Sequence, residues 1–388
     1  MTERVRTAVV AGAGIGGLAS ALGLAREGWQ VTVLERASEV GEVGAGVALA
    51  RNGIASLQAL GFADAAIQEV GVPTRAGGTF DQHGYPILAI APDVEGVTMR
   101  GVHRPRLHEA LLDRARAAGV EVMTGAEVTG IVPGAPDGAD AVVTAAGIEH
   151  RADLVVAADG VHSAVRTALA PRPVPVYSGY SSWRAVLRHE LEPSVLTQYW
   201  GPRAEFGTMP VGHGLTYWYG YVRLPQGTRY LDEHLAARER FDDWAQPVRG
   251  LIDATPADAV IRHDVVHLPG GMRRYHVGRV VFVGDAAHAM LPTMGQGAAS
   301  ALEDGICVGR LLGAQVRAGA DVGEALAQYD AARRPRCRSI ARAATASALG
   351  GAHLGPALQG VRNALMRLTP SAAISRGADA VMGWQPPT

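Results

Sequence analysis

Lysine is absent from this chain of 388 residues; all 36 of its Lys and Arg positions are arginine. That excludes lysine Schiff-base chemistry, covalent attachment of pyridoxal phosphate and a Walker-type phosphate loop. Cysteine is scarce as well: Cys307 and Cys337 are the only two, and they form no CxxC pair. The expectation is reduced thiols, a cytoplasmic protein and no metal site. Net charge is -1, which argues against nucleic acid or an anionic membrane as the main partner. No stretch of about 18 strongly apolar, uncharged residues suggests a membrane span. Ala343 to Gly360 lacks Asp, Glu, Lys and Arg, but its glycines, His353 and Pro356 make it a poor one. The N-terminus runs straight into an apolar strand without a leader pattern.

Apolar residues make up 48% of the chain, enough for a substantial core, and the length allows two domains. Thr7 to Val10 reads as a buried strand. It leads into Gly12-Ala13-Gly14-Ile15-Gly16-Gly17, then a helix over Leu18 to Glu27 and a second strand from Gln30 to Leu34, ending at Glu35. This is a β-α-β unit with a GxGxxG turn and an acid about 20 residues beyond the glycines. Gly12 permits the tight turn, Gly14 lets a pyrophosphate approach the backbone, and Gly17 allows close helix–strand packing. Glu35 would hold ribose hydroxyls. The motif alone does not separate NAD from FAD, and a plain NAD dehydrogenase is the reading it gives by itself.

A second stretch, Arg279 to Gly305, opens as the short strand Val280 to Val283 and turns at Gly284-Asp285. It passes Pro292, Gly295 and Gly297 and becomes helical near Ala298. A strand end, a glycine-dependent loop and a helix start bring backbone N–H groups together at a positive dipole end. Such a site suits an anion, or a ring that becomes anionic on reduction. Asp285 lies at the strand's carboxyl end, where open α/β sheets bind ligands, and could accept hydrogen bonds from cofactor hydroxyls. An ordinary strand–loop–helix turn has the same outline.

The aromatic residues, 5% of the chain, concentrate between Tyr177 and about Leu268 in a strand-rich region. In Tyr217-Trp218-Tyr219-Gly220-Tyr221 the tyrosines alternate onto one strand face, which suits an aromatic wall or a sheet core. A helix near Leu235 to Trp244 interrupts the strands. From Gly323 onward the pattern is helical, Ala-rich and Arg-rich. Its run Arg333-Arg334-Pro335-Arg336 is either a solvated helix end or packs on acids. His263 and His267 fall on a strand and offer no convincing ligand set.

Taken together, Gly12 to Gly17 with Glu35-Arg36, AADGVHSAVR at Ala157 to Arg166, and VGDAAHAMLPTMGQGAASALEDG at Val283 to Gly305 resemble the single-component FAD-dependent aromatic hydroxylases, the p-hydroxybenzoate-hydroxylase-like flavoprotein monooxygenases. Trp183-Arg184 and HRPRLHEALL at His103 to Leu112 resemble the salicylate-hydroxylase-like branch. The resemblance implies an α/β fold. A Rossmann-like FAD-binding domain (1–72, 101–176 and 270–322) would carry an inserted mixed β-sheet substrate domain (73–100 and 177–269) and a helical C-terminal segment (323–388).

It also implies roles. Gly12, Gly14 and Gly17 cradle the FAD pyrophosphate, Glu35 binds the adenosine ribose, Arg36 lies by the adenine and Val128 gives it a backbone contact. Val47 lies close to the flavin, and Arg104 meets the phosphate–ribityl region. Asp285 holds ribityl hydroxyls, Gly295-Gln296-Gly297 cover the pyrimidine edge, and Asp159 serves FAD and transient nicotinamide binding. His288 shapes the loop. With no second GxGxxG unit, NADPH or NADH would bind briefly as reductant. The reaction implied uses O2 to hydroxylate a small aromatic or other electron-rich substrate through a flavin C4a-hydroperoxide. Same-fold epoxidation, oxidative decarboxylation or Baeyer–Villiger insertion is the alternative, and a non-catalytic flavin-binding regulator the alternative from another class. Candidates for the substrate pocket are Arg184, His213, Tyr217 and the carbonyl of Pro292. His213, at a predicted hairpin tip, and Arg184 also have plain structural readings. Arg51 either attracts an acidic substrate or nicotinamide phosphates, or is a surface residue at a helix start. The oligomer, monomer or homodimer, is open.

Overall fold

A computed structural model describes residues 4–41, 45–90 and 97–388. Residues 42–44, Gly44 among them, lie outside these ranges. The apolar runs TAVVA, QVTVL, LVVA and VVF form the centre of a six-stranded sheet. Its order is His276–Val277, Val280–Phe282, Leu154–Ala157, Thr7–Ala11, Gln30–Leu34, Glu121–Met123. All neighbours run parallel except His276–Val277. Strands buried on both faces need such continuous apolar sequence. Val10, Val33, Val155, Val156, Val281 and Phe282 are fully buried. The helix Ile15–Arg26 covers this sheet, beginning at Ile15 rather than at Leu18. Val128–Val132, Ala141–Ala145 and Ile148–Ala152 make a separate antiparallel sheet.

The second layer is a nine-stranded mixed sheet. Its path is Ile261–His267, Val176–Arg188, Leu215–Arg223, Ala204–Gly212, Leu196–Gly201, Gly71–Asp81, Thr98–His103, Gly46–Ala50, with Pro86–Ala89 beside Gly71–Asp81. Gly46–Ala50 therefore leaves the parallel sheet and joins this one, through antiparallel pairing with Thr98–His103. Trp183, Phe206 and Trp218 point to one face, where Phe241, Trp244, Val248 and Ile252 close a core. Those last four belong to two short helices and their joint, not to one helix over Leu235 to Trp244. Glu233–Arg240 starts on Asp232, whose carboxylate accepts from the Leu235 amide at 2.8 Å, and Pro247 opens Gln246–Asp253. The opposite face of the sheet carries Tyr217, Tyr219 and Tyr221, as period-two alternation requires.

The C-terminal region is helical: Val322–Gly350, then Gln359–Arg367 and Ser371–Met382. Pro335 sits inside the 29-residue first helix. Its Ala344 and Ala348 pack with Tyr180 and Tyr221 of the large sheet and with Leu291. No helix among the described residues is long and apolar enough to cross a membrane.

Candidate cofactor and substrate site

The glycine turn after Thr7–Ala11 is built around contacts no side chain could make. A Cβ on Gly12, at φ +102°, would lie 2.6 Å from the Ala158 carbonyl oxygen, and one on Gly17 would lie 2.0 Å from that of Gly12. A Cβ on Gly14 would meet nothing within 4 Å. The space beside Gly14 is open, and the helix that starts there has neither a capping side chain nor an acid in its first turn. Its first amides are free to meet an anion. Glu35 closes the turn: its carboxylate accepts from the Ala13 amide at 2.8 Å and the Ala37 amide at 2.9 Å. Arg36 beside it is exposed, and Val128 is half-buried at the start of its strand. His108, inside the His103 to Leu112 motif but assigned no role from it, is buried and reaches the Ala13 carbonyl at 2.7 Å.

Two further loops meet this turn. Asp159 accepts from the Val165 amide through Oδ2 at 3.1 Å, while its Oδ1 is buried without a partner among the described residues. Asp285 is the one exposed residue in the otherwise buried run from Val280 to Ala289. Between the two loops lies Arg166, also overlooked in the sequence. Its guanidinium is buried, donates to the Ala286 carbonyl at 2.8 Å and to that of Val161 at 2.5 Å, and feels the charges of both Asp159 and Asp285. An open anion-binding helix start, an unpartnered acceptor on Asp159 and an exposed carboxylate on Asp285 fit a dinucleotide with a phosphate bridge and a polyhydroxyl chain.

The helix Gly297–Cys307 supplies a second open start. It has no side-chain cap and no acid in its first turn, and a Cβ on Gly297 would meet nothing within 4 Å. Gly295 takes the left-handed conformation at φ +61°. The Pro292 carbonyl accepts from the Gly295 amide at 2.8 Å, so one of its lone pairs is already engaged. Gln296 is buried, and its side-chain oxygen accepts from Asn52 at 2.9 Å.

Behind this loop is a buried ionic network. Asn52 also donates to Glu303 at 2.6 Å. Arg333 donates to Glu303 at 2.5 Å and to Asp304 at 2.7 Å, and Arg336 donates to Glu303 at 2.9 Å. Asp304 in turn accepts from the Gly284 amide at 2.8 Å and meets His288 at 2.6 Å. Burial would raise the Asp304 carboxyl, but the charges of His288 and Arg333 outweigh it and hold the group at about 2. Burial would lower His288, yet the Cys337 sulfur and Asp304 push it well above its ordinary value. His288, Asp304 and Cys337 have the side-chain types of a metal site and lie within 4.8 Å of one another. Arg333 already occupies Asp304, so the trio serves as an anchor for the loop. The basic run of the tail thus packs on acids, one of its two expected fates.

On the sheet, Arg184, Tyr217 and Tyr219 share the face opposite the helical core. Tyr217 is buried and fills the position a Cβ on Gly46 would need, 2.3 Å away. Ala45, Ala48, Met209, Val211 and Tyr219 pack around it. Val47 is half-buried in the same strand, and the Arg104 amide donates to the Ala45 carbonyl at 2.9 Å. The charges of Arg184 and Arg104 both act on Tyr217, whose hydroxyl burial nevertheless raises. Arg184 and Tyr217 are therefore brought together, while Tyr219 and Met294 of the glycine loop both pack against the cluster around Tyr180, Tyr221 and Leu291. His213 stands apart, exposed at φ +57° in the turn between two strands. Arg51 opens the helix Arg51–Ala59 and pairs with Asp379 of the C-terminal helix.

The sequence also gave no reason to choose Glu205. It is 3% exposed and lies on the tyrosine face. Tyr219 donates to its Oε1 at 2.5 Å and Gln198 at 2.9 Å. Burial pushes its carboxyl up to about 7, against the lowering effect of those two bonds.

Comparison with known proteins returns one consistent picture. Residues 5–344 match the family described as FAD binding domain. Aurachin C monooxygenase/isomerase of Stigmatella aurantiaca is 36% identical over 342 residues, 86% of this chain and 86% of its own. Salicylate hydroxylase of Pseudomonas putida is 32% identical over 386 residues, covering 85% and 82%. Klebsiella pneumoniae HpxO, crystallised with FAD and uric acid, superposes with a TM-score of 0.86 at 28% identity, covering 98% of this chain and 97% of that one.

Proposed function

Since the chain belongs to the FAD binding domain family and is an FAD- and NAD(P)H-dependent monooxygenase, we propose how its residues divide the work. Gly12, Gly14 and Gly17 cradle the FAD pyrophosphate, and Glu35 holds the adenosine ribose, with Arg36 and Val128 beside the adenine. Asp285 holds the ribityl hydroxyls. Asp159, whose charge acts on Arg166 as that of Asp285 does, serves FAD and the passing nicotinamide. Val47 lies close to the ring, and Arg104 meets the phosphate–ribityl region. The observation that carries this assignment is the open space beside Gly14, at an uncapped helix start.

Bound FAD supplies the redox chemistry linking NADPH or NADH, O2 and substrate. The chain supplies binding and electrostatics. The uncapped amides at Gly297, with Gln296 fixed by Asn52, present partial positive charge where the ring gains negative charge on reduction. Arg184, Tyr217, Tyr219 and the second lone pair of the Pro292 carbonyl border the substrate space. His213, exposed in its turn, has no part in this assignment. We propose a small aromatic or heteroaromatic substrate, supported by relatives named for aurachin C and salicylate and by the neighbour holding uric acid. The boundaries 1–72, 101–176 and 270–322 for FAD, 73–100 and 177–269 for substrate, and 323–388 for the tail belong to the same proposal.

The test is NAD(P)H oxidation across a panel of phenols and nitrogen heteroaromatics, with coupling read as heavy oxygen from labelled O2 in the product. Stimulated oxidation with label incorporated is expected. Oxidation that no compound stimulates would contradict the substrate class.

A further inference from the structure

The tyrosine face of the large sheet holds one acidic side chain with no cation to balance it. Glu205 is buried on Ala204–Gly212, opposite Trp200 on one neighbouring strand and Tyr221 on the other. From Leu196–Gly201, Gln198 donates to it; from Leu215–Arg223, Tyr219 donates to it. Both bonds end on Oε1, and no described residue donates to Oε2. Beyond these, Tyr221 bonds His353, and Arg184 lies one strand further on, paired with Tyr219. The Arg184 charge acts on Tyr217 and His263, and no described residue forms an ion pair with Glu205. A buried carboxylate without a partner cation is costly, and its placement in a fold is a pointer to a ligand.

Building on the proposed aromatic monooxygenase site, we infer that Glu205 selects the substrate, its free Oε2 accepting a hydrogen bond from a ring N–H or O–H of an uncharged aromatic molecule and repelling carboxylates. An acceptor-only carboxylate rewards a donor and penalises a second anion at the same place. Tyr219 and Gln198 position the acceptor by holding its other oxygen. Because burial lifts the Glu205 carboxyl to about 7, donor recognition has a pH signature. Above that midpoint Glu205 is a carboxylate and accepts. Below it, the accepting form falls about tenfold per pH unit, and donor affinity falls with it. A carboxylate ligand responds in the opposite sense.

The experiment is calorimetric titration of the FAD-loaded protein with 2-naphthol and with 2-naphthoate, from well below to just above the Glu205 midpoint. The prediction is that naphthol binds more tightly than naphthoate above the midpoint and that the preference shrinks about tenfold per pH unit below it. Glu205→Gln, close to isosteric, is expected to flatten this dependence and narrow the preference. Tyr219→Phe removes a bond that lowers the Glu205 carboxyl, so the midpoint should move up. A purely structural role for Glu205 would leave the midpoint unmoved. A wild-type preference for naphthoate, failure of naphthol to bind at any pH, or an unchanged pH profile in Glu205→Gln would overturn the inference. The same samples report their flavin absorbance, and loss of FAD would instead strike the underlying monooxygenase assignment.

Discussion

At Gly14 a methyl group would meet no protein atom within 4 Å, whereas at Gly17 it would press 2.0 Å from the Gly12 carbonyl oxygen. The two glycines therefore serve different masters, and substitution should separate them. Gly17→Ala is expected to destabilise the fold by about 1–3 kcal/mol, as overpacking does, measured by chemical denaturation of the apoprotein. Gly14→Ala keeps an ordinary backbone conformation, so apoprotein stability should stay within about 0.5 kcal/mol of wild type. FAD affinity should nonetheless fall at least about tenfold, about 1.4 kcal/mol, by equilibrium titration. Wild-type FAD affinity in Gly14→Ala would remove the pyrophosphate from this position. These roles were legible in the sequence because a GxGxxG turn fixes geometry locally. His108 and Arg166 were not, since each reaches backbone 95 and 120 residues away and no spacing announces it.

At the scale of elements, the strand, loop and helix from Val280 to Cys307 are held from behind by Arg333 on another helix. The basic run Arg333-Arg334-Pro335-Arg336 was legible in the sequence, but not that Glu303 and Asp304 are the acids it meets. Their separation of 29 and 30 residues is set by how two helices cross, which no local pattern encodes. Breaking such a pair leaves uncompensated buried charge, so Arg333→Met should cost about 3–5 kcal/mol in stability, read by urea denaturation.

Acid should loosen the same element. Asp304 is depressed from 3.8 to about 2, so its contribution, about 2 kcal/mol, is present above its unfolded value and lost as pH falls toward 2. His288 is raised, so its contribution is complete below the ordinary histidine value and fades as pH climbs through its own higher one. Asp304→Asn should remove the Asp304 share of the acid sensitivity between about pH 4 and 2 in a denaturation series, leaving that of Asp153 and Asp264, whose carboxyls are also lowered.

For the whole molecule, periodicity identified the parallel sheet, the strand-rich aromatic layer and the helical tail. It did not reveal that Gly46–Ala50 joins the large sheet, because strand pairing is decided by partners about 50 residues on. Nor did it show how the last residues close over the core. Trp384 lies 5.6 Å from the Arg333 guanidinium, Asp379 pairs with Arg51, and Arg336 donates to the carbonyls of Ala380 and Val381. Removing residues 369–388 should lower stability by at least about 2 kcal/mol, mainly through the lost arginine bonds and ring contact, as followed by calorimetric unfolding. The glycine cradle is untouched by this cut, so FAD should still bind at one per chain.

The account stands most directly on the flavin. The measurement is the visible absorbance of purified protein loaded with FAD and titrated anaerobically with NADH and with NADPH. A bound yellow flavin is expected, bleached by one or both nucleotides and faster when an aromatic substrate is present. A protein that retains no FAD, or a bound flavin that neither nucleotide reduces with any aromatic compound present, would contradict it.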